Sequence, residues 1–593
     1  MRQLFSFAVL YFILATSCKL MPKNEPAAEG NKRLAQVLDN YYEGRMKFFP
    51  LESTQNGEDR YNDQLPANFT DDYRDTIRNF YTRLLNGVDQ IDRGSLNEKD
   101  RLSFDIVKWE LGSRIEGLKF PDNRIPFNQF TGLPLTLGQL GSGEGFQPFR
   151  TIKDHEKWIQ RARAFGPWAD SAIVYFKKGL ATNFVLPRSL VVKMIPQLEA
   201  MVTDGVEKNL FYGPVGKLKS LSDTAATHKL AVEYNSLIRE TIIPSYKKLA
   251  DFLKNEYLPK ARASSGIDVV PDGGAYYAWL VKDQTTTLKT PEEIYQTGLK
   301  EVARIRAGMD SVKQAVGFKG DLAAFFTYMK EDKKFMPYKT PQEVLAAFET
   351  IHQKMQPNLR LLFNHTPKTG FEIRQTEAFR AASASAEYFQ GSPDGTRPGI
   401  FYVPILDATK FNTTSGMESL FLHEAIPGHH YQISLQQEDS LLPAFRRFGG
   451  NNAYVEGWAL YCESLGKELG LYTDPYQYMG AMGDEIHRAI RLVVDVAIHT
   501  KGMTREQAIK YMTDNEAISD EGATAEIERY MAIPGQALGY KIGALKIREL
   551  RTKYQAELKD KFRLANFHDE VLKDGAMPLE VLEKKMDEWA KQQ

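Results

Sequence analysis

Ser415-Gly-Met-Glu418-Ser-Leu-Phe-Leu-His423-Glu424-Ala-Ile-Pro427-Gly428-His429-His430-Tyr-Gln432 holds three of the chain's ten histidines. Ser415 and Glu418 have capping-box spacing, so a helix is expected to begin here and to carry His423 and Glu424. A His-Glu pair on a helix with a further histidine downstream is the raw material of a zinc hydrolase. Two imidazoles at i, i+4 share a metal, and the adjacent Glu addresses an activated water. Here the spacing differs. His429 follows His423 by six residues, about 600° of helix and two-thirds of a turn off its face. His430 is nearly in phase but about 10.5 Å further along the axis. Neither can share a cation with His423 on an unbroken helix. Pro427-Gly428 permits a kink or bulge that returns a later histidine. The reading prefers His429, although periodicity alone does not choose between the two.

A third ligand is expected on the next apolar segment, Asn452-Ala-Tyr-Val-Glu456-Gly-Trp458-Ala-Leu-Tyr461-Cys462-Glu463, with Asn452 as its N-cap. Glu456 lies among apolar residues, where a carboxylate is costly unless paired or bound to metal. Glu463, two turns on, is either the ligand or the group that orients a ligating histidine. Further along, Asp484, Arg488, Arg491, Asp495 and His499 recur at steps of three and four on an otherwise apolar helix. Such a stripe is either a salt-bridge ladder or the wall of a wet cavity. His499 at its end favours the cavity. A last segment, Glu526–Gly543, brings Arg529, Tyr530 and Tyr540 as donors toward developing negative charge, and a second Ile-Pro-Gly break at 533–535. Gly539 and Gly543, four apart, permit close approach of another backbone.

The remainder reads as mostly α. Ser95-x-x-Glu98, Thr290-Pro-Glu-Glu293 and Thr340-Pro-Gln-Glu343 are helix starts. Amphipathic patterns fill Asp154–Leu180, Thr224–Lys254 and Leu545–Phe562. Gly370–Ile373, Ala386–Gln390 and Gly399–Ile405 read as short strands, the last two separated by the turn signal Ser392-Pro-Asp-Gly395. The expected architecture is therefore a large, mostly α, multi-helix body with a small β-sheet before the helix that carries His423. Two parts of one body are expected, 33–365 helical and 366–593 catalytic.

Composition narrows the function classes. The chain has 593 residues, with 76 Lys+Arg against 76 Asp+Glu. Zero net charge leaves no global field for nucleic acid or an anionic membrane surface. Met1-Arg2 and the apolar Leu4–Ala15 form a signal peptide over 1–17, too short to span a bilayer. Ala15-Thr-Ser-Cys18 is similar to a bacterial lipobox, so membrane contact is expected only through a lipid on Cys18, and 18–32 reads as a polar tether. The chain is then exported to the cell envelope, or secreted if cleavage occurs near Ser17 without lipidation. Lys19, where an inner-membrane retention aspartate would stand, points to the outer membrane. Cys462 is left unpaired.

The motifs together resemble a broad bacterial family of unassigned function marked by His-Glu-x-x-Pro-Gly-His-x-x-Gln (His423–Gln432), Glu-Gly-Trp-Ala-Leu-Tyr (Glu456–Tyr461) and Arg-Tyr…Pro-Gly-Gln-Ala (Arg529–Ala537). The resemblance also takes in Tyr388 and Gly399–Val403. That family is similar to gluzincin-type helical zinc peptidases such as thimet oligopeptidase and the carboxypeptidase Taq group. The resemblance implies Zn²⁺ held by His423, His429 and Glu456, with Glu424 as general base. His499, Arg529 and Tyr540 are the candidate oxyanion donors, short peptides the substrate, and strand Gly399–Val403 or its neighbour a peptide-holding edge. A hydrolase of esters or non-peptide amides, and a catalytically silent peptide-binding lipoprotein, are the alternatives. Oligomeric state has no sequence signature here.

Overall fold

The computed structural model describes residues 25–376, 385–392, 397–414 and 416–593. The signal peptide, Cys18, Ser415 of the capping pair and Pro393–Gly395 of the turn signal lie outside the described residues. A helix, Glu25–Phe48, begins inside the stretch read as a tether.

The chain is mostly helical with one small sheet, as the periodicity indicates. Strands β1 (Phe371–Gln375), β2 (Glu387–Phe389) and β3 (Gly399–Val403) form a sheet of order β1-β3-β2. β1 runs parallel to β3, and β2 antiparallel, with Tyr388 opposite Phe401. β3 is the middle strand, both its edges are paired, and its residues are almost all buried. It therefore cannot add a peptide strand, contrary to one sequence expectation; only β1 and β2 stand at the sheet's edges.

Helix starts follow local chemistry with small shifts of register. Thr290 and Glu293 make the expected reciprocal capping box. Before Glu98–Gly117, however, Asn97 rather than Ser95 caps, accepting from the Asp100 N–H. An Asn side chain one residue before the first turn reaches the free amides that Ser95 is too distant to satisfy. The pattern over Asp154–Leu180 divides into Ile152–Arg163 and Phe165–Thr182.

Six helices position the site: α1 (Met417–Glu424), α2 (His429–Glu438), α3 (Asn452–Glu463), α4 (Pro475–Thr500), α5 (Asp520–Ala532) and α6 (Leu538–Leu558). α4 is buried on nearly every side. Its Ile486, Ile490, Val493 and Val494 enter one apolar cluster with residues 65–335, while Leu492 and Val496 enter another with Tyr277 and Val281. Helix Pro291–Ala315 lies along α4, with Gly298 so close that a Cβ there would meet the Leu492 side chain at 2.8 Å. α3 and α6 cross at Gly457 and Gly543, where a Cβ on Gly543 would lie 1.9 Å from the Ala453 carbonyl oxygen. The glycine spacing in α6 thus marks a backbone-to-backbone contact, as expected. Apolar clusters on both sides of residue 365 draw on the same elements, since Leu34–Leu111 pack with Phe401–Trp589.

Candidate metal centre

The His423 segment does not kink; it stops and restarts. α1 ends at Ala425 (φ −104°, ψ −101°), and α2 begins at His429. The Ile426–Pro427 peptide between them is cis. Gly428 passes so near α1 that a Cβ would sit 1.9 Å from the His423 carbonyl oxygen, which no other residue allows. The break is held from α3. The Pro427 carbonyl accepts the Trp458 indole N–H at 2.9 Å and the Cys462 thiol at 3.5 Å. The Glu456–Cys462 stretch therefore supplies both a carboxylate and the clamp on the turn that brings the imidazoles to it. Asn451, not Asn452, caps α3, accepting from Tyr454 N–H; Asn452 instead donates to the Gln536 carbonyl.

The result is convergence. The rings of His423 and His429 stand 4.8 Å apart and nearly perpendicular. Nε2 of His423 lies 3.6 Å, and Nε2 of His429 3.5 Å, from the same Glu456 oxygen. One ligand atom from each residue falls within 4.8 Å of the others. These spacings are too long for good hydrogen bonds and suit donors arranged around a shared cation. His423 Nδ1 donates to Glu463 Oε1 at 2.8 Å, which points its Nε2 lone pair at the cluster. Glu463 is thus the orienting group rather than a ligand. His429 Nδ1 is buried without a hydrogen-bond partner among the described residues. His430 turns away: its Nδ1 meets the Tyr388 hydroxyl at 3.0 Å and the Ser434 hydroxyl at 3.4 Å. Burial drops its pKa to about 4, so it is a neutral core histidine tying α2 to β2.

Electrostatics agree with a cation site. Burial opposes the charged form of His423, but Glu456 and Glu463 outweigh it and hold the imidazole up to about 10. Burial likewise raises Glu456, and the two imidazoles overcome it, keeping the carboxylate well below its usual range. Two imidazoles and two carboxylates thus stabilise positive charge between them, whether carried by protons or by a metal ion. Glu424 is 8% exposed, and burial raises its pKa against the pull of His423, His429 and Arg488. Burial thus favours the protonated form of this carboxyl relative to an exposed one.

These residues open on a cavity of about 440 Å³ whose other walls are Tyr388 on β2, His487, Arg488 and Arg491 on α4, Glu526 and Arg529 on α5, and Tyr540 on α6. Arg529 and Tyr540 therefore line the same cavity as the cluster. His499 is not. Its Nδ1 accepts the Ile267 N–H and its Nε2 donates to the Tyr530 carbonyl, both at 3.1 Å, beside the Tyr277 ring. With both nitrogens used and no exposure, it is a satisfied core histidine. Asp495 is likewise spent on the Tyr277 hydroxyl at 2.6 Å and the Gly535 N–H. The stripe on α4 is divided: Arg488 and Arg491 face the cavity, whereas Asp495 and His499 serve the core. His487 and Glu526 escaped sequence reasoning, although His487 shares the i, i+3, i+4, i+7 face of Asp484, Arg488 and Arg491. His487 bridges Glu516 at 2.9 Å and Glu526 at 3.4 Å. A larger cavity of about 680 Å³, between Phe49, Trp168 and Trp279, holds no such cluster among the described residues.

Among the described residues no helix is long and apolar enough to cross a membrane. Among curated proteins, no relative matches the chain. Several solved structures do, among them the following two. One, described as a "putative lipoprotein" from Colwellia psychrerythraea, is 29% identical, with a TM-score of 0.86 over 96% of this chain and 100% of that one. The other, described as a "putative lipoprotein of unknown function" from Shewanella oneidensis, is 18% identical and shares the fold, with a TM-score of 0.72 over 93% of this chain and 99% of that one. Residues 50–586 match the family described as "Bacterial protein of unknown function (DUF885)", and the chain belongs to it.

Proposed function

We propose that the chain is an exported zinc-dependent hydrolase of short peptides, related to the gluzincin-type helical peptidases. The observation that carries this reading is the meeting of His423, His429 and Glu456 within 4.8 Å, with Glu424 beside them on a cavity wall. Two His and one Glu leave a coordination position open, the ligand set of a catalytic rather than a structural zinc. When bound there, zinc supplies a Lewis acid that polarises the scissile carbonyl and makes attack by water feasible at neutral pH. Glu424 takes the proton of the attacking water and delivers it to the leaving amine. Arg529 and Tyr540 present donors to the oxyanion. Glu463 holds His423 in the ligating tautomer. The lipobox-like Ala15–Cys18 and the description of the Colwellia relative support an envelope location through a lipid on Cys18.

The test is zinc content and peptide hydrolysis of the purified protein and of Glu424→Gln. The expected result is about one equivalent of zinc in both, as a three-ligand site requires, with hydrolysis lost only in the variant. Hydrolysis that survives the substitution removes Glu424 from its role. Zinc without turnover of peptides, esters or amides leaves the silent peptide-binding lipoprotein, which the descriptions of both relatives also fit.

A further inference from the structure

The α4 wall of the cavity carries two guanidinium groups, Arg488 and Arg491, that the hydrolytic chemistry does not use. Arg491 is 5% exposed, and its guanidinium is fixed on three sides. Nε donates to the Tyr530 hydroxyl at 3.0 Å, Nη2 to Glu526 at 3.1 Å, and the Cζ lies 4.7 Å from the centroid of the Tyr540 ring. The remaining nitrogen, Nη1, is buried and has no hydrogen-bond partner among the described residues. Arg488, one turn earlier on the same face, has a buried Nε in the same condition, and its Nη1 reaches the Asp484 carbonyl at 3.3 Å and the Asp484 carboxylate at 3.4 Å.

Glu526 is a single carboxylate facing Arg491, Arg529 at 3.4 Å and His487 at 3.4 Å. Glu516 answers His487. Arg488 faces Asp484, Glu463 and Glu424, and Arg491 pairs with Glu526, yet each guanidinium keeps one buried nitrogen without a hydrogen-bond partner among the described residues. A buried guanidinium nitrogen with no acceptor is expensive unless a ligand completes it. Rigid support by Tyr530, Glu526 and Tyr540 means that little entropy is lost when the ligand arrives.

We propose that Arg491, assisted by Arg488, is a binding site for a carboxylate of the substrate, which makes the preferred substrate an anionic short peptide. The inference takes its substrate class from the peptide-hydrolase reading; the anion site itself rests on the arginines alone. A carboxylate fits because its two oxygens match the spacing of guanidinium N–H groups, and the planar pair is stronger than a neutral hydrogen bond. The carboxylate can be the peptide's C-terminus or an acidic side chain; both present the same group.

The experiment is calorimetric binding to the full chain without added metal and to zinc-loaded Glu424→Gln, so that turnover plays no part. The probes are trialanine, trialanine amide and Ala-Glu-Ala amide. Trialanine is expected to bind about 10- to 100-fold more tightly than its amide, the value of a charge-assisted hydrogen bond. In Arg491→Gln that difference should vanish. Ala-Glu-Ala amide binding as tightly as trialanine assigns the site to an acidic side chain, and weak binding assigns it to the C-terminus. Equal affinities of acid and amides, or binding of none of them, overturn the proposal without recourse to a variant. Preference for the acid in a protein that hydrolyses nothing would sink the hydrolase reading alone. Hydrolysis indifferent to both carboxylates would sink this one alone.

Discussion

Two buried polar regions of the molecule lie along the same helix and differ in what they leave over. At the C-terminal end of α4, Asp495 and His499 are fully buried, and their hydrogen-bonding atoms are matched by Tyr277, Gly535, Ile267 and Tyr530. At the other region, around Arg488 and Arg491 and the facing His423, His429 and Glu456, four atoms have no partner among the described residues: His429 Nδ1, Glu463 Oε2, Arg488 Nε and Arg491 Nη1. Both are polar islands in an apolar helix bundle. A satisfied island specifies packing, and an unsatisfied one is shaped for something else. Burial of charge is thus no sign of function by itself; here the region with unpartnered atoms is also the one that opens on a cavity.

The contrast can be broken at either region. The largest effect is expected from His429→Ala, which should abolish stoichiometric zinc binding measured by elemental analysis. His430→Gln should keep about one equivalent, and loss of zinc there as well would mean that the wrong imidazole has been assigned. Next is Gly428→Ala, whose new Cβ has no room beside the His423 carbonyl. It should cost about 3 kcal/mol or more in denaturant unfolding, since crowding backbone against backbone leaves nothing to yield. A neutral result would mean that the turn is far more compliant than its contacts imply.

Asp495→Leu should cost about 1–3 kcal/mol by stranding the Tyr277 hydroxyl and the Gly535 amide, with zinc content intact. If zinc is lost instead, the core end of α4 and the site are not separable. The smallest effect concerns pH. Burial lowers His499 from 6.5 to about 3, so the unfolded chain takes up a proton first as pH falls. Stability from this group is present above pH 6.5 and declines toward pH 3, by at most about 1.4 kcal/mol per pH unit. His499→Gln should flatten that decline in urea midpoints measured between pH 6.5 and 4.5, and an unchanged slope would mean that His499 is not the neutral core group its contacts make it.

Much of this was legible before any coordinates. Capping pairs and apolar periodicity place the helices, because capping and amphipathicity are local. His423, Glu424 and Glu456 stand out because charged side chains in apolar runs require partners. His499 was misjudged for a physical reason. Periodicity says which face of α4 a residue occupies, but its actual partners, Ile267 and Tyr277, come from more than 200 positions away. The cap before Glu98 moved from Ser95 to Asn97 because both residues satisfy the preference and only the helix register decides.

Local chemistry alone settled the helical character of the chain, the small sheet before residue 410 and the residue types gathered near His423, since each depends on neighbours within a turn or two. The three-dimensional packing decided which imidazole joins His423, which carboxylate merely orients it and which half of the α4 stripe faces open space. Those outcomes depend on distant segments meeting: Trp458 gripping the Pro427 carbonyl, and Gly457 letting α6 approach α3. No spacing along the chain encodes them.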